Sequence, residues 1–205
     1  MRAFIYTGGE VYPDNITEHP KGDDLCIAAD SGYMNAKKLG ERVDVFVGDR
    51  DSFLGELPDG LETVELKPEK DLTDTHVAVE LALERGADDI IIIAGLSGRL
   101  DHTMSNLAIL VDAKLRGFHA VIADGRNRVR YIKNDSLLLA RSGYKYVSLL
   151  ADDEKVKGVE IKGVKYPLKN ATLKANFQYA VSNEIDGNCA FIAVKKGGIF
   201  VIESM

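Results

Sequence analysis

Carboxylates mark the places where this sequence could do chemistry. Four short runs carry them: Ala28-Ala29-Asp30-Ser31-Gly32, Gly48-Asp49-Arg50-Asp51-Ser52, Lys70-Asp71-Leu72-Thr73-Asp74 and Gly98-Arg99-Leu100-Asp101-His102. Singly, each has a plain structural explanation. Aspartate is a favoured helix N-cap, so Asp30, Asp74 and Asp101 each fit the start of a helix. Asp49 and Asp51 fit a turn. Together they ask for more. If the strands that carry them are neighbours, five or six carboxylates meet at one edge, offset by little except Lys70, Arg50 and Arg99. Like charges that close raise one another's pKa or repel. A hard divalent cation resolves the conflict, and magnesium takes oxygen ligands from one or two carboxylates plus substrate phosphates and water. The pattern predicts a magnesium–nucleotide site.

The usual phosphate-binding motifs are absent. No Gly-x4-Gly-Lys-Ser/Thr run occurs, and the stretch from Gly95 to Leu100 does not complete a Gly-x-Gly-x-x-Gly fingerprint. Phosphate handling then rests on metal, on Lys70 and Arg99, and on backbone amides at helix N-termini. Two other readings stay open on the residues alone. Val45-Phe46-Val47-Gly48-Asp49-Arg50-Asp51 also fits the nucleophile loop of haloacid-dehalogenase-type phosphatases, with Asp49 forming an aspartyl-phosphate. Such loops follow the first strand, whereas two strand-like runs precede this one. A module that binds nucleotide without turnover is the third class. His102 is the one histidine placed where a general base would be useful.

The elements that must position these residues fall into two halves. Up to about residue 130, strand-like runs at Ala3–Thr7, Leu25–Ala29, Val43–Val47, Thr63–Leu66, Asp89–Ala94 and His119–Ala123 alternate with helical patterns at Tyr33–Leu39, Thr75–Arg85 and His102–Arg116. Ile90-Ile91-Ile92-Ile93-Ala94 reads as a strand buried on both faces. Gly40, Gly86 and Gly117 close the three helices as left-handed C-caps. This alternation predicts an α/β domain with a mainly parallel sheet, whose ligands bind beyond the carboxyl ends of its strands. Beyond Asn134-Asp135 the period changes. Short runs at Ser136–Ala140, Tyr144–Leu149, Val156–Ile161, Lys165–Leu168, Ala190–Val194 and Ile199–Ile202, punctuated by glycines, predict an all-β, sandwich-like domain. The expected division is 1–133 and 134–205.

Bulk properties narrow the partners. The 205 residues are 45 % hydrophobic and 28 % charged, with a net charge of −6 and no basic stripe, so nucleic acid is not an expected partner. No stretch approaches the ~18 apolar residues of a membrane span, and no signal peptide opens the chain, which makes the cytoplasm the expected location. Cys26 and Cys189 each sit in an apolar run and read as buried small hydrophobes.

In the order given above, the four aspartate runs resemble the thiamin pyrophosphokinase family, as do Tyr166-Pro167-Leu168 and Ser182-Asn183-Glu184 in the second half. The resemblance implies a nucleotide-binding α/β domain followed by a thiamin-binding β-sandwich, in a homodimer with active sites at the subunit interface. It implies ATP and thiamin as substrates and Mg2+ as the cation. Carried over by position, Asp49, Asp51 and Asp74 are the metal ligands, and Asp71 joins them as a catalytic carboxylate. Asp30, Ser31, Lys70, Arg99 and His102 are the implied ATP-binding residues. Asp101, Ser182 and Asn183 are the implied thiamin-binding residues.

Overall fold

A computed structural model describes residues 1–49, 55–66 and 72–205, and the chain divides into two compact units, Met1–Gly125 and Arg126–Met205. Arg50, Asp51, Lys70 and Asp71, all singled out by the sequence, lie outside the described residues.

Among the described residues of the first unit, six strands, β1 (Arg2–Tyr6), β2 (Leu25–Ala29), β3 (Val45–Gly48), β4 (Glu62–Glu65), β5 (Asp89–Ile93) and β6 (His119–Ala123), pair in parallel in the order β4-β3-β2-β1-β5-β6. Parallel pairing buries both faces, and the sequence supplies the apolar residues for it: Phe4, Ile5, Ile27, Ile90, Ile92 and Ile93 are fully buried. Phe4 and Tyr6 join Cys26, Ile91 and Ile93 in one cluster, to which α1 (Gly32–Leu39) contributes Ala36. The helices α2 (Asp74–Glu84) and α3 (Leu100–Arg116) bury Ala78, Val79 and Ala82, and Ile109, Leu110 and Ala113. Gly40 (φ +72°), Gly86 (+84°) and Gly117 (+85°) end the three helices in left-handed backbone, as expected. Because β1 has β2 on one side and β5 on the other, the chain reverses its winding there. A crevice opens at such a switch point, at the carboxyl ends of the strands.

The second unit is all β. Strands β7 (Asn127–Lys133), β13 (Gly198–Ser204) and β9 (Tyr146–Ala151) form one antiparallel sheet in the order β7-β13-β9. Strands β8 (Ser136–Ala140), β10 (Lys155–Lys162), β11 (Leu168–Lys174) and β12 (Cys189–Ala193) form a second, in the order β11-β10-β12-β8. The core holds Val147, Leu149, Ile199 and Val201 from the first sheet and Val156, Ile161, Leu173 and Ile192 from the second, which makes a sandwich.

Four details differ from expectation. β7 was not anticipated, because Asn127-Arg128-Val129-Arg130-Tyr131-Ile132-Lys133 carries a charge at three of its seven positions. It nevertheless pairs with β13 along its whole length. The Asn134-Asp135 turn exists, with Asn134 at φ +50°, but it joins β7 to β8 inside the second unit. The structural division therefore falls at Gly125/Arg126, eight residues before the expected one. Lys165–Leu168 is not a strand of its own; β11 begins at Leu168, and its pairing with β10 is irregular around Gly158 (φ +66°). Cys26 is buried, and burial pushes its thiol up to about 11, whereas Cys189 is exposed. No helix among the described residues is long and apolar enough to cross a membrane.

Candidate active site

The crevice at the switch point is a cavity of about 400 Å³ in the first unit. Its walls are the segments that leave the strands. Thr7-Gly8-Gly9 follows β1, Asp30-Ser31 follows β2, and Ala94 to Arg99 follows β5. Thr73, Asp74 and Thr75, where α2 begins, close one side, and His102 and Asn106 of α3 reach in from another.

Local chemistry explains each placement. Asp30 sits in left-handed backbone at φ +48°, donates its N–H to the Val47 carbonyl at 2.9 Å and turns the chain from β2 into α1. Its carboxylate lies against Gly48: a Cβ there would be 2.2 Å from Asp30 Oδ1. Only glycine at residue 48 leaves room for that oxygen, so β3 ends beside the Asp30 carboxylate and Asp49 follows at once. Thr73, not Asp74, is the N-cap of α2, its hydroxyl oxygen accepting His76 N–H at 3.3 Å. The same hydroxyl lies 3.1 Å from His76 Nδ1, and burial holds His76 below its usual pKa. Capping by Thr73 leaves Asp74 in the first helical turn, where the helix dipole favours a negative charge. Asn106, buried in α3, donates to the Gly95 carbonyl at 2.9 Å and fixes the β5 loop.

Of the residues read from the sequence, Asp30, Ser31, Asp74, Arg99 and His102 line this one cavity. Asp49 stands at the end of β3 and is not among its lining residues. Asp101 is at the α3 N-terminus, where its carboxylate accepts Arg99 Nη2 at 2.6 Å and Nε at 3.1 Å, a bidentate pair in the open that lowers the Asp101 pKa. Neither Asp30 nor Asp101 is an N-cap; Ser31 and Arg99 hold those positions. The residues missed are Thr7, Gly8, Gly9, Thr73 and Asn106. Gly8-Gly9 directly after a strand was the one legible signal among them.

Carboxylate oxygen is the donor chemistry a hard cation needs, and the first unit supplies it from adjoining segments. Asp30 and Asp74 share the cavity, and Asp49 adjoins the Asp30 carboxylate through Gly48. Among the described residues no three His, Cys, Asp or Glu side chains gather closely enough to hold a metal by themselves. Asp51 and Asp71, expected beside them, fall outside the described residues.

Ser182 and Asn183 belong to the second unit. There Val147, Leu149, Ile161, Leu168, Tyr166 and Tyr179 line a mostly apolar cleft of about 170 Å³, closed by Val181 and Asn183. The Asn183 carboxamide is committed to backbone. Its Oδ1 accepts the N–H of Tyr166 and of Glu184, each at 3.0 Å, and its Nδ2 donates to the Tyr166 carbonyl at 2.7 Å. Asn183 therefore shapes the cleft by clamping Tyr166 to its rim. Ser182, exposed and at φ +57°, gives its backbone N–H to Ser148 Oγ at 2.9 Å and does not itself line the cleft.

Comparison with known proteins assigns both units. Residues 18–122 match the family described as thiamin pyrophosphokinase, catalytic domain, and residues 135–199 match thiamin pyrophosphokinase, vitamin B1 binding domain. The thiamine pyrophosphokinase of Bacillus subtilis (strain 168) is 26 % identical over 208 residues, covering 98 % of this chain and 97 % of that protein. Thiamin pyrophosphokinase 1 of Caenorhabditis elegans is also 26 % identical, over 83 % of this chain and 74 % of its own length. The crystal structure of the B. subtilis enzyme shares the fold, with a TM-score of 0.90 at 23 % identity over 100 % of this chain and 99 % of that one. With the catalytic-domain match alone spanning just over half of its residues and the second match covering most of the remainder, this chain belongs to the thiamin pyrophosphokinase family.

Proposed function

We propose that the protein is a cytoplasmic, magnesium-dependent thiamin diphosphokinase, which transfers the pyrophosphoryl group of ATP to the hydroxyl of thiamin and releases AMP. One observation carries the reading. The catalytic-domain match falls within the unit that holds the aspartate-lined cavity, and the vitamin B1 binding match falls within the unit that holds the apolar cleft.

In this mechanism ATP occupies the first unit's cavity. Arg99 and His102 lie at its rim, and Ser31 with Asp30 frames the strand ends. The thiamin hydroxyl oxygen attacks the β-phosphorus of ATP, the bond from that phosphorus to the α,β-bridging oxygen breaks, AMP departs, and the hydroxyl proton is lost. Phosphoryl transfer asks a protein chiefly for positioning and charge neutralisation. Magnesium, when bound, supplies most of the neutralisation, held by Asp49, Asp51 and Asp74, with Lys70 and Asp71 flanking the phosphates. Arg99 exchanges its bidentate hold on Asp101 for phosphate oxygens, which frees Asp101 to face the positively charged thiamin. In the second unit the aromatic and aliphatic cleft beside Ser182 takes the thiamin rings. The protein acts as a homodimer, with the Ser182 loop of one subunit completing the site of its partner.

The deciding experiment incubates purified protein with Mg-ATP, with and without thiamin, and separates the nucleotide products. Thiamin-dependent AMP is the expected result. ADP, thiamin-independent phosphate, or no turnover would each overturn the reading.

Two further results are expected. Mg-ATP at a hundredfold excess over its Kd should stabilise the protein by ~2.7 kcal/mol, and ATP with a chelator should do far less, because the carboxylates then repel the phosphates. Equal thermal shifts with and without magnesium would contradict a metal-bridged nucleotide. Ser182→Ala should raise the thiamin KM roughly 5- to 150-fold, the worth of a hydrogen-bonding partner that the other subunit covers in the proposed dimer, with little change in the ATP KM. Mixed with Asp49→Asn protein, it should recover activity through hybrid dimers that carry one intact site. A monomer in solution, or no recovery, would remove the shared-site proposal.

A further inference from the structure

The loop that leaves β1, Thr7-Gly8-Gly9-Glu10, is held from two sides. On one side stands Asn35 of α1, whose Nδ2 donates to the carbonyl oxygens of Thr7 at 2.6 Å and of Gly9 at 2.7 Å. Both partners are acceptors, so the facing atom has to be the amide nitrogen, and both of its hydrogens are used. Lys38, one turn along α1, adds a 3.0 Å bond to the Val11 carbonyl. On the other side Ser97 Oγ accepts the N–H of Glu10 at 2.6 Å.

A trans peptide directs its C=O and N–H oppositely. The Gly9–Glu10 peptide does so visibly, with its carbonyl on Asn35 and its N–H on Ser97. The Thr7–Gly8 peptide has its carbonyl on the same Nδ2, so the Gly8 N–H must also point away from α1. Gly8 and Gly9 both line the cavity, and their N–H groups meet no acceptor among the described residues. A side chain at Gly9 would run into backbone, and one at Gly8 would have to displace the Ser31 hydroxyl. A Cβ on Gly8 would lie 2.0 Å from Ser31 Oγ, and one on Gly9 would lie 1.8 Å from the Ala94 carbonyl oxygen. The flanking Asp30 (φ +48°) and Ala94 (φ +68°) hold left-handed backbone, a conformation that non-glycine residues keep where the surroundings impose it.

We propose that Gly8 and Gly9 form a backbone cradle for the polyphosphate of the nucleotide, and that Asn35 is the positioning residue that turns it toward the cavity. Successive N–H groups on a glycine loop make an anion-binding concavity, and this one needs no lysine to do so. Asn35 itself touches no substrate and acts through the loop. The proposal rests on ATP being the donor.

The test compares wild-type, Asn35→Ala and Asn35→Asp full-length proteins in two assays. One is steady-state thiamin-dependent AMP formation; the other is calorimetric binding of inorganic triphosphate with magnesium present. In Asn35→Ala the ATP KM and the triphosphate Kd should each rise about tenfold, the low end of what one amide contact to a charged group contributes, with the thiamin KM and kcat within about twofold. Asn35→Asp sets a carboxylate against two carbonyl oxygens and should weaken triphosphate further. Should that variant fail to fold, Asn35→Ala decides alone. Unchanged ATP KM and triphosphate affinity in Asn35→Ala would overturn the cradle, as would equal rises in both substrate KM values with a parallel loss of melting temperature. If wild-type protein makes no AMP, the donor reading fails, while the triphosphate comparison still tests the cradle.

Discussion

Asp74→Asn protein is expected to form AMP from ATP and thiamin roughly 10²–10³-fold more slowly than wild type, the cost of losing one electrostatic contributor to a transition state. Asn is nearly isosteric with Asp, so any loss has to come from charge. Asp74 lies in the first turn of α2 and lines the cavity, and Thr73 rather than Asp74 caps the helix. Neutralising Asp74 therefore leaves the Thr73–His76 cap bond in place. It removes a favourable dipole interaction of ~0.3–1 kcal/mol and relieves repulsion among neighbouring carboxylates, two effects of opposite sign. The melting temperature without magnesium should thus stay level. Asp49→Asn, which gives up no helix-dipole contact, should melt level or higher and lose activity to a similar degree. Thiamin turnover at near wild-type rates in both variants would dismiss the metal assignment. A large drop in melting temperature with turnover preserved would turn Asp74 into a structural residue.

The contrast between the two units shows what a sequence makes legible. In the first unit, burial of the sheet on both faces demands long apolar runs, and Ile90 to Ile93 can hardly be anything but a central parallel strand. Once those strands are parallel, their carboxyl ends share an edge, so the sequence alone puts Asp30 and Asp49 on that edge, and the fold brings Asp74 of α2 into the same cavity as Asp30. The glycine loop after β1 was harder to read. Its part in the site depends on Asn35, a residue 26 positions from Gly9, reaching back from α1, and only the fold reveals that reach. In the second unit, Asn183 read as a ligand-binding amide, yet its hydrogen bonds go to the backbone of Tyr166 and Glu184. Asn183 also lines the cleft, and a sequence does not show that one carboxamide both shapes a cleft and faces it. β7 was hidden for a related reason. A charged residue reads as exposed unless its counter-ion is known, and Glu203 lies 75 residues from Arg128.

Glu203→Gln is expected to destabilise the protein by about 3–5 kcal/mol, the usual cost of breaking a buried ion pair from one side. Glu203 is directly opposite Arg128 in the β13–β7 register, and its side chain is only 1 % exposed. Its Oε2 accepts Arg128 Nε and Arg130 Nη1, each at 2.6 Å; its Oε1 accepts Arg128 Nη2 at 2.7 Å and Ser142 Oγ at 3.0 Å. The Arg128 guanidinium also lies 4.9 Å from the centre of the Tyr144 ring. Glutamine keeps the shape but gives one acceptor oxygen where there were two, and it leaves the buried Arg128 guanidinium and the partly exposed one of Arg130 facing a neutral amide. Charge burial, not packing, sets the expected loss. For a chain of this length the melting temperature should fall by on the order of 10 °C. A second variant separates the causes. Arg128→Met with Glu203→Leu removes both main charges at similar volume, and such replacements are often neutral or stabilising, so the double variant should melt well above Glu203→Gln. If it melts as low as the single variant, the loss comes from packing at the β7–β13 seam. If Glu203→Gln itself melts with wild type, the buried network contributes nothing, and Arg128 must be able to reach water when its partner is neutralised.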